Sequence, residues 1–297
     1  MQQTRLLNDK IAEKCMWGLA LFVVLIVFFM AFGLYQKSRP LLAMKSLNEL
    51  LFSSSWYPLK GKFGFFPFLI GTFWVTIIAG IIAVPPCLLS AIYLSEYAPP
   101  KIRGYCASLI DLLAGIPSVI YGVWGVLVLV PLIKNHLAPA AGVFSTGYCA
   151  LAGGLVLAVM ISPVIIHVSS EVFSSVSHEL RDASLSLGAT SWQTVKYVVL
   201  RKAAPGVLAA IVLGLSRAFG ETMAVLMVAG NVAKIPSSVF DPVYPLPALI
   251  ANHYGEMLSV PLYDSALLFA SFILLLVVLL FNSFSRLILL KLSRDAE

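Results

Sequence analysis

Two ionisable side chains stand in the middle of an apolar stretch, where a free charge is hardest to keep. Arg217 and Glu221 lie within Gly214-Leu215-Ser216-Arg217-Ala218-Phe219-Gly220-Glu221-Thr222-Met223-Ala224. On a continuous helix the i, i+4 spacing puts them on one face. Inserting either charge alone at a bilayer's centre costs about 2.5–3.5 kcal/mol, so both are expected to pair with each other and to face protein or water. Gly214, Gly220 and Ala224 leave room on much the same side for another helix to approach closely. Two readings fit. One is a structural ion pair pinning two helices. The other is an element of a polar translocation path, in which Arg217 supplies positive potential for an anion. Glu221 then orients the arginine or acts as a gate, with the hydroxyl of Thr222 beside it. A fixed cation in a low-dielectric passage holds an anion strongly, and the partnering carboxylate keeps the site from becoming a trap.

Asp111 is a third charge, about two turns into another apolar stretch. It precedes Leu112-Leu113-Ala114-Gly115-Ile116-Pro117-Ser118. Pro117 should break or bend a helix and free backbone groups, which is tolerated where the segment lines a cavity or packs on protein. Ser118 is placed to satisfy them. Asp111 fits either the same path or a hydrated position near the cytoplasmic edge.

The elements holding these residues follow from composition. Of 297 residues, 11% are charged and 60% apolar. A soluble domain has about 25% and roughly 45–50%. Too little polar surface exists to cover a water-soluble domain, and an all-α integral membrane protein is expected. Six stretches are long and apolar enough to cross a bilayer: about Cys15–Tyr35, Phe66–Leu94, Tyr105–Ile133, Ala141–His167, Ala203–Ala229 and Ser265–Phe284. The second contains Pro85-Pro86 and the third Pro117, so each is either a bent or tilted helix or a spanning helix plus an interfacial segment. The first has a basic start (Arg5, Lys10, Lys14) and reads as a retained anchor. Its apolar run exceeds the ~7–15 residues of a signal peptide, and Ala31-Phe32-Gly33 is a poor cleavage site.

With the amino terminus cytoplasmic, 12 Lys and Arg fall on the cytoplasmic side of the spans and 7 on the external side, with Arg217 within a span. This bias places both termini in the cytoplasm, against the basic first external loop with Lys37, Arg39, Lys45, Lys60 and Lys62. Two external segments are long, 36–65 and 230–264. The first mixes aromatics, cations and turn residues around Trp56, fitting either interfacial anchoring or a docking surface. The second is rich in proline and suggests rigid turns and short helices.

Residues 169–202 form the most polar stretch between spans. Ser177 is a candidate cap for a short helix with Glu179 in its first turn. Leu180, Ala183, Ser184 and Leu187 then make a narrow stripe, and Gly188 suits a left-handed C-terminal cap. Thr190 and Gln193 have capping-box spacing for a second helix, whose apolar face carries Trp192, Val195 and Val199. Such a cytoplasmic knob fits either a partner's groove or an interfacial hairpin with no partner.

Other chemistries lack their residues. The net charge of +6 comes without a dense basic tract, so nucleic acid is not an expected partner. Cys15, Cys87, Cys106 and Cys149 lie in or beside apolar segments without C-x-x-C spacing, and His178-Glu179 is followed by Asp182 where H-E-x-x-H needs histidine. Neither a metal nor another cofactor is expected. There is no G-x-S-x-G elbow and no Walker G-x-x-x-x-G-K-[ST] loop, so any ATP chemistry must come from a partner.

The segment Asp182-Ala183-Ser184-Leu185-Ser186-Leu187-Gly188, followed by Val198-Val199-Leu200, resembles the E-A-A-x-x-x-G…I-x-L-P loop of ABC-importer permeases. Asp182 stands in place of Glu, Ser184 of Ala and Arg201 of Pro. In that family the loop is the coupling helix received by the ATPase, which implies this role for Leu180, Asp182, Ala183, Ser184, Leu187 and Gly188. The runs Leu112–Gly122, Ser216–Val225 and Ala91–Pro99 are similar to those of the PstC-type permeases of the bacterial phosphate-specific importer, and the likeness extends from about Phe66 to Leu290.

The resemblance implies a type I ABC importer permease (MetI-like) fold with six transmembrane helices in the bacterial inner membrane. Residues 1–65 would hold the cytoplasmic amino terminus, first span and periplasmic loop. The permease core would be 66–290, with its coupling loop at about 169–202, and a cytoplasmic tail would be 291–297. It also implies a PstA-like second permease, two PstB-like ATPase subunits and a PstS-like periplasmic binding protein, besides membrane lipids. Arg217, Glu221, Thr222, Asp111 and Ser118 would line the phosphate path, which opens by alternating access as the ATPases close on the loop. Three alternatives stay open: a permease for molybdate, sulfate or another oxyanion, the partner permease of the same importer, or a secondary transporter or membrane sensor. The last class is expected to show related halves and more intramembrane titratable groups than this chain carries.

Overall fold

The computed structural model describes residues 2–255 and 260–294, with the side chains of 1–9, 11, 285 and 288–297 set aside. Of the tail expected at 291–297, residues 295–297 lie outside the described residues. The chain is a succession of helices with one two-stranded ribbon. In order they are α1 (Gln2–Met44), α2 (Leu47–Phe52), β1 (Trp56–Tyr57), β2 (Lys62–Phe63), α3 (Phe66–Tyr97), α4 (Pro100–Gly115) and α5 (Ser118–Ala140). Then come α6 (Ala150–Ser174), α7 (His178–Ser186), α8 (Ser191–Gly220), α9 (Met223–Val228), α10 (Leu246–His253) and α11 (Tyr263–Arg294). Among the described residues six helical stretches are long and apolar enough to cross a membrane, in α1, α3, α5, α6, α8 and α11.

Three span expectations are corrected. The stretch expected as one helix over Tyr105–Ile133 is two, because Ile116-Pro117 adopts extended backbone between α4 and α5. Proline lacks an N–H and disfavours helix in the residue before it. The crossing helix is therefore Ser118–Ala140, and α4 is a separate helix without a buried residue. The fourth span begins at Ala150, later than Ala141, after a loop over 141–149. The fifth is broken after Gly220, with consequences described below. In contrast, α3 continues through Pro85-Pro86.

Three apolar clusters hold the molecule together. One lies between α3, α5, α6 and α9, around Val75, Ile78, Tyr121, Val156, Ile161 and Val225. A second joins α1, the segment from α2 to the start of α3, α10 and α11 around Phe65, Phe68, Tyr244, Leu249 and Tyr263. The third closes the C-terminal ends of α3 and α6 on the start of α8 through Ile92, Phe173, Val195 and Val199. Small residues set the closest approaches. A Cβ placed on Gly122 of α5 would stand 3.2 Å from the Cα of Ala224 in α9, and one on Gly214 of α8 would stand 2.6 Å from Ile165 Cγ1 of α6. Gly220, expected to serve the same purpose, faces open space because the helix ends there.

The segments that follow α1 and α9 pack on each other. Trp56, paired with Phe63 across the β1–β2 ribbon, lies edge-on to Phe68 at 4.9 Å between ring centroids and also meets Phe65 and Tyr263. Leu246 N–H donates to Thr72 Oγ1 (2.9 Å), which ties α10 to α3. In the proline-rich segment Asp241 Oδ2 accepts from the N–H groups of Ser237 and Ser238. Trp56 thus faces the protein, leaving Tyr57, Leu59 and Phe144 exposed on this side.

Candidate translocation site and coupling surface

Arg217 and Glu221 do not share a helix face. α8 ends at Gly220, and Glu221 turns to extended backbone (φ −72°, ψ 131°) before α9 starts at Met223. A glycine costs about 1 kcal/mol relative to alanine inside a helix, so the segment is weakest at Gly220. Each charge then complements the helix end beside it. Arg217 lies in the last turn of α8, where free carbonyls favour a cation, and Glu221 Oε1 accepts from Ala224 N–H (3.4 Å) in the first turn of α9. The expected ion pair is therefore not formed. Among the described residues the pairs are Lys45–Glu49, His167–Glu171 and Arg181–Glu96.

What surrounds Arg217 is polar and open. Its side chain is exposed on this chain, within electrostatic reach of Tyr121 on α5. Ser216 next to it donates to Asn282 Oδ1 of α11 (2.8 Å), and Thr222 Oγ1 donates to the Gly220 carbonyl (3.3 Å) in the break. The α4–α5 break is held from the same helix that faces Arg217. The Tyr121 hydroxyl donates to the Leu113 carbonyl (2.7 Å), which Pro117 leaves without a helical partner. Tyr121, and not the expected Ser118, is the side chain that bonds this carbonyl, which also accepts from Ile116 N–H (3.3 Å). Ser118 is half-buried at the start of α5. Asp111 is exposed on α4, outside the six helical stretches long and apolar enough to cross a membrane. The structure therefore sets Arg217, Glu221 and Thr222 at one helix break and Tyr121 at the other, with Asp111 on α4, two residues before the Leu113 carbonyl that Tyr121 bonds.

The polar segment forms the expected knob. α7 closes in a Schellman turn: Gly188 N–H donates to the Leu185 carbonyl (2.9 Å) and Ala189 N–H to the Ser184 carbonyl (3.3 Å), with Gly188 at φ +84°. Thr190 and Gln193 complete a capping box on α8. At the other end Ser177 has the extended backbone of a cap, but its hydroxyl makes no capping bond. Ser184 is not on the outer surface. It turns inward, where its hydroxyl meets Thr194 Oγ1 (3.0 Å) and joins α7 to α8. Leu180, Asp182, Ala183 and Gly188 are exposed, and Leu187 projects with 89% of its surface free. Trp192 is also exposed while Val195 and Val199 are buried, so the apolar face of this helix splits between an outer and an inner side.

One feature escaped sequence reasoning because its partners are far apart in the chain. Arg181 of α7 donates to both carboxylate oxygens of Glu96 on α3, from Nη2 at 2.7 Å and from Nε at 3.1 Å. The same guanidinium donates to the carbonyls of Phe173 (2.8 Å) and Val176 at the end of α6.

Comparisons with known proteins agree with this architecture. The family model described as binding-protein-dependent transport system inner membrane component matches residues 87–294. A phosphate transport system permease protein PstC from Xylella fastidiosa (strain 9a5c) is 36% identical over 92% of this chain and 88% of that protein. A PstC from Pasteurella multocida (strain Pm70) is 37% identical over 83% and 81%, and one from Mesorhizobium japonicum is 33% identical over 96% and 91%. Among solved structures, an inward-facing MetNI methionine ABC transporter superposes with a TM-score of 0.57 at 20% identity, covering 75% of this chain and 93% of that one. A bacterial importer of the acidic polysaccharide alginate gives 0.54 at 16%, covering 92% and 96%. With its six apolar helices, its helical knob and a match across most of its length, the chain belongs to the family of inner membrane components of binding-protein-dependent transport systems, with the MetI-like permease fold.

Proposed function

We propose that this chain is the PstC-type permease of an ATP-driven phosphate importer, forming half of the anion path. The observation that carries the anion path is Arg217: an exposed arginine at the end of α8, beside a helix break and without the Glu221 ion pair. A cation kept in a low-dielectric passage attracts an oxyanion, and a guanidinium offers it forked N–H donors. The names of the relatives support phosphate as the cargo. Glu221, released from Arg217, is free to act as a gate beside Thr222.

Both termini are cytoplasmic in this reading, which puts α7 on the cytoplasmic side and the Trp56 cluster outside. A PstS-like binding protein delivers phosphate to the external loops. Two PstB-like ATPases receive Leu180, Asp182, Ala183, Leu187 and Gly188, and a PstA-like permease supplies the other half of the path. Residues 66–290 form the permease core. Ser118 contributes through its place at the α4–α5 break, whereas exposed Asp111 contributes through the surface of α4.

The test is Arg217→Gln in the assembled importer, with phosphate uptake and co-purification of all subunits measured together. Loss of uptake from an intact complex is expected. Normal uptake would remove Arg217 from the path.

A further inference from the structure

We infer that Arg181 and Glu96 are positioning residues that transmit movement of the coupling knob to the cytoplasmic ends of α3 and α6. The inference rests on the coupling role proposed above for α7. It starts from an unfavourable arrangement. Glu96 sits in the last turn of α3, a π-helical turn, where unpaired carbonyls already make the helix end negative. A carboxylate there needs compensation, and two arginines provide it. Arg103 of α4 donates to the carbonyls of Leu94 (2.7 Å) and Ser95, and Arg181 of α7 takes the Glu96 carboxylate bidentately.

Arg181 differs from an ordinary surface charge. Its side chain is 12% exposed and that of Glu96 10%, so the pair is largely shielded from water. Its remaining donors cover the carbonyls of Phe173 and Val176, at and just beyond the end of α6. A single planar group thereby joins three elements: the knob, the second span and the fourth. Those two spans pack along each other, and both contribute to the apolar cluster that includes Val225 of α9. A displacement of α7 pulls directly on α3 and α6 through short charged bonds. The other hydroxyl link, Ser184 to Thr194, ties α7 only to α8. Lysine at 181 has no fork with which to reach both carboxylate oxygens and two carbonyls.

The test uses the complete importer in proteoliposomes and records phosphate moved per ATP hydrolysed, a ratio that loss of protein alone does not change. Arg181→Ala and Glu96→Gln are expected to keep the ATPase bound while this ratio falls about tenfold, within the range seen when coupling networks are cut. Arg181→Lys should recover only part of it. A ratio equal to wild type in both single variants would overturn the inference. To cover poor folding of either, Arg181→Cys/Glu96→Cys is made with exposed Cys15 and half-buried Cys106 replaced by Ala. It is bridged by a reducible bis-methanethiosulfonate linker. Linking should raise the ratio and reduction should lower it again; no change on linking would also overturn it. Deleting α7 separates the two readings, since an ATPase that stays bound and active without α7 refutes the coupling role itself.

Discussion

Replacing Gly188 isolates the energetic cost of one backbone angle in the turn between α7 and α8. The residue sits at φ +84°, and a Cβ built there meets no atom within 4 Å. No steric clash with neighbours contributes, so the penalty for Gly188→Ala is the left-handed conformation itself, roughly 1–2 kcal/mol. At 1.4 kcal/mol per tenfold, the turn should open roughly 5- to 30-fold more often. The bonds that report this are Gly188 N–H to Leu185 and Ala189 N–H to Ser184. Hydrogen exchange over 183–195 in the purified complex, followed by mass spectrometry, should show faster exchange by that factor. Gly188→Asn should fall between wild type and Ala, because asparagine enters the left-handed region more readily. Equal exchange in all three proteins would refute the claim that this turn needs glycine. If the knob docks as proposed, the same penalty appears as weaker ATPase binding.

Three further outcomes follow from the packing. Tyr121→Phe leaves the Leu113 carbonyl without its hydroxyl donor and should lower stability by about 1 kcal/mol, read as a lower melting temperature of the solubilised complex. Gly122→Val forces side-chain atoms onto Met227 and the Ala224 backbone, at a cost of about 1–3 kcal/mol. Adding Met227→Ala should recover part of the stability but not all, because the Ala224 Cα stays 3.2 Å from the new Cβ. For sidedness, an impermeant maleimide applied outside cells should label Phe144→Cys and spare Leu187→Cys, with inverted vesicles giving the reverse. Native Cys149 should stay unlabelled in both, since it is fully buried and that burial pushes its thiol pKa up.

Local signals in the sequence were the legible ones. Gly188 and the Thr190/Gln193 pair act within a few residues of themselves, so spacing alone locates the turn and the next helix. The crossing helices are legible for a different reason, since length and apolarity are a sum over some twenty residues. Breaks inside apolar runs are harder. Pro117 marks one, yet the apolar run continues across it, and hydropathy does not register a change of direction. The break after Gly220 carries no proline, and its cue is one glycine followed by Glu221 and Thr222. Reading through it produced the Arg217–Glu221 pair that the structure does not make. The Arg181–Glu96 link joins residues 85 positions apart and depends on where α3 and α7 end in space, which no periodicity encodes.

The central claim is that this chain, with its partner subunits, moves phosphate. It is tested most directly by labelled phosphate uptake in cells that lack their own high-affinity transporter and express the complete importer. ATP-dependent uptake is expected, abolished by excess unlabelled phosphate and left intact by the same excess of sulfate or molybdate. Uptake that sulfate or molybdate suppresses as well as phosphate does, or that persists without the ATPase, would contradict it.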